Sequence, residues 1–111
     1  VSQLFQPTFL GSSNAGIWTM PASAASTSEL KGLTLLVGNK TSAARLVTLY
    51  AFDAGSASLA NAILYNHPVP PNDFIYIAVP EISGSSAKIQ GYCDVADSVS
   101  VAAIGGEINV P

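Results

Sequence analysis

Charge is what this chain has least of. Lys, Arg, Asp and Glu make up 10% of its 111 residues, whereas an average soluble domain carries about 25%. Seven acids against four bases leave a formal net charge of −3. Lys31, Lys40, Arg45 and Lys88 are scattered. Nucleic-acid binding needs clustered phosphate-neutralising cations, so that class is excluded as an expectation. Cysteine occurs once, at Cys93, so no internal disulfide can form. Its neighbours Tyr92 and Asp94 do nothing to lower a thiol pKa, and Cys93 is expected to be a small packed side chain. Histidine also occurs once, at His67. No apolar run reaches the about 18 residues a membrane span needs. No charged n-region precedes an apolar segment, so no signal peptide is expected.

What the chain does have is hydrophobic residues, 49% of the total, spaced mostly by two. That period argues for strands. Ser98–Ala102 alternates valine and serine. Ala44–Asp53, ARLVTLYAFD, places Val47, Leu49 and Ala51 on one face and Leu46, Thr48, Tyr50 and Phe52 on the other. Both faces are apolar, so this strand is expected to be covered on both sides. Asp73–Val79, DFIYIAV, has the same character. Leu30–Val37 and Ala87–Asp94 are further strands, the latter with Gly91 as a candidate bulge. Shorter candidates are Gln3–Leu10, Ile17–Met20 and Ala62–Asn66.

Turn signals separate these runs at 11–14, 38–42, 53–56, 70–72, 83–86 and Gly105-Gly106. Ser26-Thr27-Ser28-Glu29 fits either a capping box opening a short helix or a Ser/Thr loop. Ser56–Ala62 fits a single helical turn or a loop. The size is that of one domain. The pattern predicts an all-β, single-domain antiparallel β-sandwich, jelly-roll-like, of about eight short strands. Residues 17–111 form the sandwich. Residues 1–16 are either an N-terminal arm that pairs with a neighbour or the first strand of the chain's own sandwich.

Each residue type that carries chemistry has a structural reading beside it. His67 needs a partner to act as a base, and its nearest acids in sequence are Asp73 and Glu81. Pro68, Pro70 and Pro71 remove amide donors around it. The segment is therefore a sheet edge or a stiff crossover between Ala62–Asn66 and Asp73–Val79, with Val69 tucked inward and His67 solvated at a strand end. Gly84-Ser85-Ser86 lacks the second glycine of a nucleophile elbow. Gly105-Gly106-Glu107 has no lysine or helix after it to cradle phosphate. Asp94 and Asp97 fit a hairpin turn better than a metal site. Trp18, Tyr50, Tyr65, Tyr76 and Tyr92 would suit a sugar-stacking platform, but aromatics on alternating strands usually fill a core or an interface. No catalytic, cofactor-binding or metal-ligating residue is assigned, and no cofactor is expected.

The order of strands and turns carries a resemblance. Residues 17–107 run through Ile17-Trp18-Thr19-Met20-Pro21-Ala22, then Leu33–Ser42, then Ala44-Arg45-Leu46-Val47-Thr48-Leu49-Tyr50. Ala60-Asn61-Ala62-Ile63, Val69-Pro70-Pro71-Asn72 and Asp97–Val101 follow, closing on Gly105-Gly106-Glu107. This resembles the small β-sandwich structural proteins of tailed bacteriophages. The chain departs from that pattern at Ile82–Lys88, ISGSSAK, where serines replace a glycine-aspartate turn. The resemblance implies a virion component without catalytic activity, assembled in the host cytoplasm and sited on the capsid surface. It implies a decoration (cement) subunit, often trimeric, whose partners are its own copies and the major capsid protein. A neck or tail accessory protein is the alternative within that class, and a carbohydrate-binding module the alternative outside it. The resemblance carries over no functional residues.

Overall fold

The computed structural model describes residues 4–21 and 28–109. Nine strands form among them: β1 (Thr8–Phe9), β2 (Ala15–Thr19), β3 (Glu29–Asn39), β4 (Arg45–Phe52), β5 (Ala62–Val69), β6 (Phe74–Ala78), β7 (Ile82–Ser83), β8 (Lys88–Cys93) and β9 (Val99–Asn109). The described residues contain one 3-10 turn, Leu59–Asn61, and no α-helix.

The strands divide into two antiparallel sheets. The front sheet runs β1-β9-β3-β6, with β7 also on β3, and the back sheet runs β2-β8-β4-β5. Set β7 aside and the chain is one long antiparallel ribbon folded at β4–β5. Its successive rungs are β4·β5, β3·β6, β2·β8 and β1·β9. Wrapping that ribbon brings β9 against β3 and β8 against β4. This is the double-sheet order of a jelly roll, so the expected fold class holds. Strand count could not separate this order from an immunoglobulin-like one; the pairing does.

The inward rows of the two sheets meet in one core. Leu35, Val37, Val47, Leu49, Val69, Ile89, Val99 and Val101 are fully buried within it. β4 is central, and its outward Thr48, Tyr50 and Phe52 are buried as well, as the two apolar faces of ARLVTLYAFD require. The Thr48 hydroxyl accepts a hydrogen bond from the Asn66 N–H at 3.0 Å. That contact secures a register shift in β5, where Asn66 takes φ 43°.

Several expectations change. β5 continues through His67 and Pro68 to Val69 instead of stopping at Asn66. Pro68 sits opposite Leu46, and it is tolerated because β5 is an edge strand. Val69 is buried as expected. β9 runs on through Gly105-Gly106, which is not a turn. Gly32 (φ 68°), Gly105 (φ 68°) and Gly106 (φ 86°) lie on adjoining rungs of β3 and β9. Leu33 and Ala103 face the core on one side of this kink, and Leu30 and Ile108 face it on the other. Both strands thus reverse their facing together, and their register is preserved.

Asp94–Asp97 is an arch between the sheets, from β8 to β9, and not a hairpin turn. Gly91 is not a bulge. It is a point of close approach, where a Cβ would lie 2.6 Å from Leu49 Cδ2 and 2.7 Å from the Thr48 carbonyl oxygen. The bulge opposite β8 lies on its other neighbour, β2, between Gly16 and Trp18. The turn Leu59–Asn61 falls within the candidate Ser56–Ala62. Of the candidate capping box, Ser26 and Thr27 lie outside the described residues, and Glu29 opens β3.

Of residues 1–16, the first three lie outside the described residues. The strand candidate Gln3–Leu10 shortens to Thr8–Phe9, which pairs with Ser100 and Val101 of β9. Pro7 has no N–H to extend that ladder. Leu10 is buried, and its N–H donates to the Val99 carbonyl at 2.8 Å. Ala15 and Gly16 already belong to β2.

Candidate functional site

The residues with chemical potential are dispersed. His67 is exposed on β5, opposite Val47. Asp73 spends its carboxylate on the Phe74 N–H at 2.8 Å. Glu81 stands at the other end of β6, near Glu29 and Lys31. Neither of these two acids is therefore brought to His67 as an orienting partner.

Cys93 is buried, and its thiol lies 2.9 Å from the Val95 carbonyl oxygen. It packs under the arch as a small side chain. Asp94 accepts from the Leu46 N–H at 3.2 Å, and Asp97, at φ 61°, donates its N–H to the Leu10 carbonyl. The Asp94 carboxylate therefore serves the backbone, whereas Asp97 holds the arch through its own main-chain N–H. Among the described residues, no three His, Cys, Asp or Glu side chains gather as metal ligands. Gly84 donates its N–H to the Ser28 carbonyl, and Ser85 and Ser86 follow in the exposed turn before β8.

Lys31 and Glu29 form an ion pair of 3.0 Å on the rim of the kinked end. The hydrogen bond from the Lys31 ammonium holds Glu29 below its ordinary carboxyl pKa, and Glu29 in turn raises Lys31. Both groups are partly exposed at the surface, and the pair is worth little in stability.

The five aromatics do not form one platform. Trp18 is in the core. Tyr50 and Tyr92 lie on the back sheet with ring centroids 6.5 Å apart. Burial, and then the neighbouring Tyr92 hydroxyl, push the Tyr50 phenol above its ordinary pKa. Tyr65 is exposed on β5 near the same pair. Asn14 donates to the Gln90 side-chain oxygen at 2.9 Å on that sheet. Tyr76 belongs to the opposite side of the molecule.

On that opposite side, the outer face of the front sheet, four strands assemble an apolar surface. One rung carries Phe9, Ser100, Gly38 and Phe74; the next carries Ala102, Leu36 and Tyr76; the next carries Ile104, Thr34 and Ala78. Phe9, Phe74, Tyr76 and Ile104 are between 43% and 60% exposed, well beyond what an isolated surface residue needs explaining. Phe74 and Tyr76 meet edge to face, centroids 5.4 Å apart. A shallow open cleft of about 270 Å³ lies among Pro7, Leu36, Phe74, Tyr76 and Ala102. Among the described residues, Lys40, whose ammonium reaches over Gly38, is the only charge lining it.

The sequence reading missed this surface. It treated DFIYIAV as covered on both faces, but β6 is an edge strand whose outer face is open. The available signal was the pairing of two apolar faces with flanking prolines, which suits a sheet edge. The other contributors come from three separate strands, and only the tertiary pairing aligns them. No family model matches the chain, and no curated protein or solved structure matches it.

Proposed function

We propose that the protein is a non-enzymatic structural subunit of a tailed-bacteriophage virion. In this reading it is a capsid decoration (cement) protein that self-associates and seats on the major capsid protein. The observation that carries the reading is the outer face of the front sheet. Four strands present aromatic and aliphatic side chains there with a single charge, Lys40, at the rim. Contiguous exposed apolar surface of this kind is a mark of protein contact. The low charge of the whole chain limits repulsion between closely packed copies. The residue pattern of 17–107 supplies the virion part of the proposal, and jelly rolls recur among viral capsid domains. The mechanism is added buried area at junctions between shell subunits, which stabilises only the assembled shell.

Copy number on purified particles of the phage that encodes the chain tests this reading. Hundreds of copies per particle are expected for decoration, and about a dozen or fewer for the neck or tail alternative. Ile104→Asp should fold normally and lose occupancy on the shell. Absence of the wild-type chain from particles overturns the proposal.

A second reading has its own observation. Tyr65 is exposed beside Tyr50 and Tyr92, and the Asn14 and Gln90 amides lie on the same sheet. That combination suits stacking on a sugar ring with amide hydrogen bonds at its rim. If a glycan array gives a binder, Tyr65→Ala should abolish the signal and leave the thermal midpoint nearly unchanged.

A further inference from the structure

The geometry points to a twofold dimer in which β6 of one copy pairs antiparallel with β6 of a second copy, centred on Tyr76. The inference rests on the assembly reading above and names the edge through which self-association runs.

Among the described residues, β6 is the end of the front sheet, bonded on one side only, to β3. Asn39 donates its N–H to the Asp73 carbonyl at 2.8 Å, and Val79 donates to the Leu33 carbonyl at 3.0 Å. Odd-numbered residues of this segment therefore turn their main-chain groups toward β3. Antiparallel ladders alternate, so Phe74, Tyr76 and Ala78 turn theirs toward the open edge. Monomers usually guard such an edge with charge, proline or a bulge. β6 itself, FIYIA, contains none of these. Asp73 and Pro80 stand just outside it, and only the Phe74 N–H is capped, by the Asp73 carboxylate. The core is also open at this side. Ile75 and Ile77 face inward yet are only partly buried.

A second copy of the same strand fits what is missing. With Tyr76 opposite Tyr76, Phe74 falls opposite Ala78 and Ile75 opposite Ile77. Side-chain facing is preserved at every position, so isoleucines meet isoleucines over the core and aromatics stay on the outer face. Tyr76 opposite Tyr76 is then a hydrogen-bonded pair, because Tyr76 carries outward main-chain groups, and Phe74 opposite Ala78 completes its pair when the Phe74 N–H leaves the Asp73 carboxylate. The contact is isologous and closes at two, in contrast to the trimer that the phage resemblance implies.

Proline substitution separates main-chain pairing from side-chain contact. Tyr76→Pro deletes an N–H that points away from β3, a position where an edge strand tolerates proline. Tyr76→Ala keeps that N–H and removes the ring. Sedimentation of the wild type should give twice the 11.4 kDa chain mass, with Tyr76 and Ala78 amides exchanging more slowly as concentration rises. Tyr76→Pro should sediment at the chain mass with an unchanged far-ultraviolet spectrum, and Tyr76→Ala should remain dimeric. If Tyr76→Pro does not fold, Ala78→Pro makes the same test, because its N–H points the same way. A wild type that stays monomeric to about 1 mM, a trimer, or a dimer that survives both proline variants overturns the inference. So does protection of the Tyr76 amide that appears only when a different protein is added. A monomeric Tyr76→Pro that still occupies shells leaves the virion reading intact. A dimer absent from particles removes that reading and leaves the pairing intact.

Discussion

Asn39 and Val69 are 30 residues apart in the chain, and the Asn39 side-chain amide donates to the Val69 carbonyl at 3.1 Å. The same amide reaches the Ala43 carbonyl at 2.8 Å and the Pro70 carbonyl at 3.2 Å. Its carbonyl oxygen accepts from the Thr41 N–H at 2.9 Å and from the Thr41 hydroxyl at 2.7 Å. Asn39 is 2% exposed, so these bonds operate in a dry setting. They tie the β3–β4 turn to the β5–β6 connection, and so fix the end of β6 from which the open edge starts. Asn39→Ala leaves carbonyls and the Thr41 N–H without that partner. A loss of about 2 to 4 kcal/mol is expected in urea unfolding. A loss under about 1 kcal/mol would mean water replaces the amide.

Gly91 is the tightest point between the central strands of the back sheet. A methyl group there would collide with the Thr48 carbonyl oxygen, which is main chain and cannot rotate aside. Gly91→Ala should destabilise by about 1 to 3 kcal/mol and shift the β4 and β8 amide resonances. Wild-type stability in that variant would contradict the packing described for this pair.

Trp18 and Tyr65 are both large aromatics on strands, but one is 8% and the other 54% exposed. Trp18→Ala should cost about 3 to 5 kcal/mol through the cavity it leaves. Tyr65→Ala should change stability by no more than about 0.5 kcal/mol. Thermal unfolding of the two variants checks the assignment, and equal losses would contradict it.

Tyr50 makes stability depend on alkaline pH. Burial raises its folded pKa above the ordinary 10.0, so the folded chain keeps a proton that the unfolded chain releases. The contribution is complete below about pH 10 and is lost as pH climbs from there through the folded value. Lys31, raised by Glu29 from its ordinary 10.5, acts in the same direction slightly higher. Tyr50→Phe keeps the ring and removes one titration. The fall in thermal midpoint between pH 9 and 11 should therefore be shallower in Tyr50→Phe, and an identical fall would show that Tyr50 does not titrate differently in the fold.

His67 shows how far sequence reasoning reached toward a site. Its proline neighbours mark the segment as a sheet edge or a crossover with His67 solvated at a strand end; His67 is exposed, but it lies within the edge strand β5 and not at its end. The apolar face of the front sheet was not visible in the same way. Phe9, Leu36, Phe74 and Ile104 are far apart in sequence, and nothing local marks them as neighbours.

Two-residue alternation, turn residues and the scarcity of charge were enough by themselves to specify layered strands in one domain. They also put Val47 and Leu49 on one face, because facing follows from the period of the strand, and the prolines around Val69 turned it inward; all three are buried. The wrapping of the ribbon was decided only in three dimensions. Pairing partners depend on how the two inward rows fill a common core, and that is a property of all the strands at once. Gly105-Gly106 reads locally as a turn, yet beside Gly32 it lets two long strands turn over in register. The exposed edge at β6 likewise exists only because no other strand of the described chain takes that place.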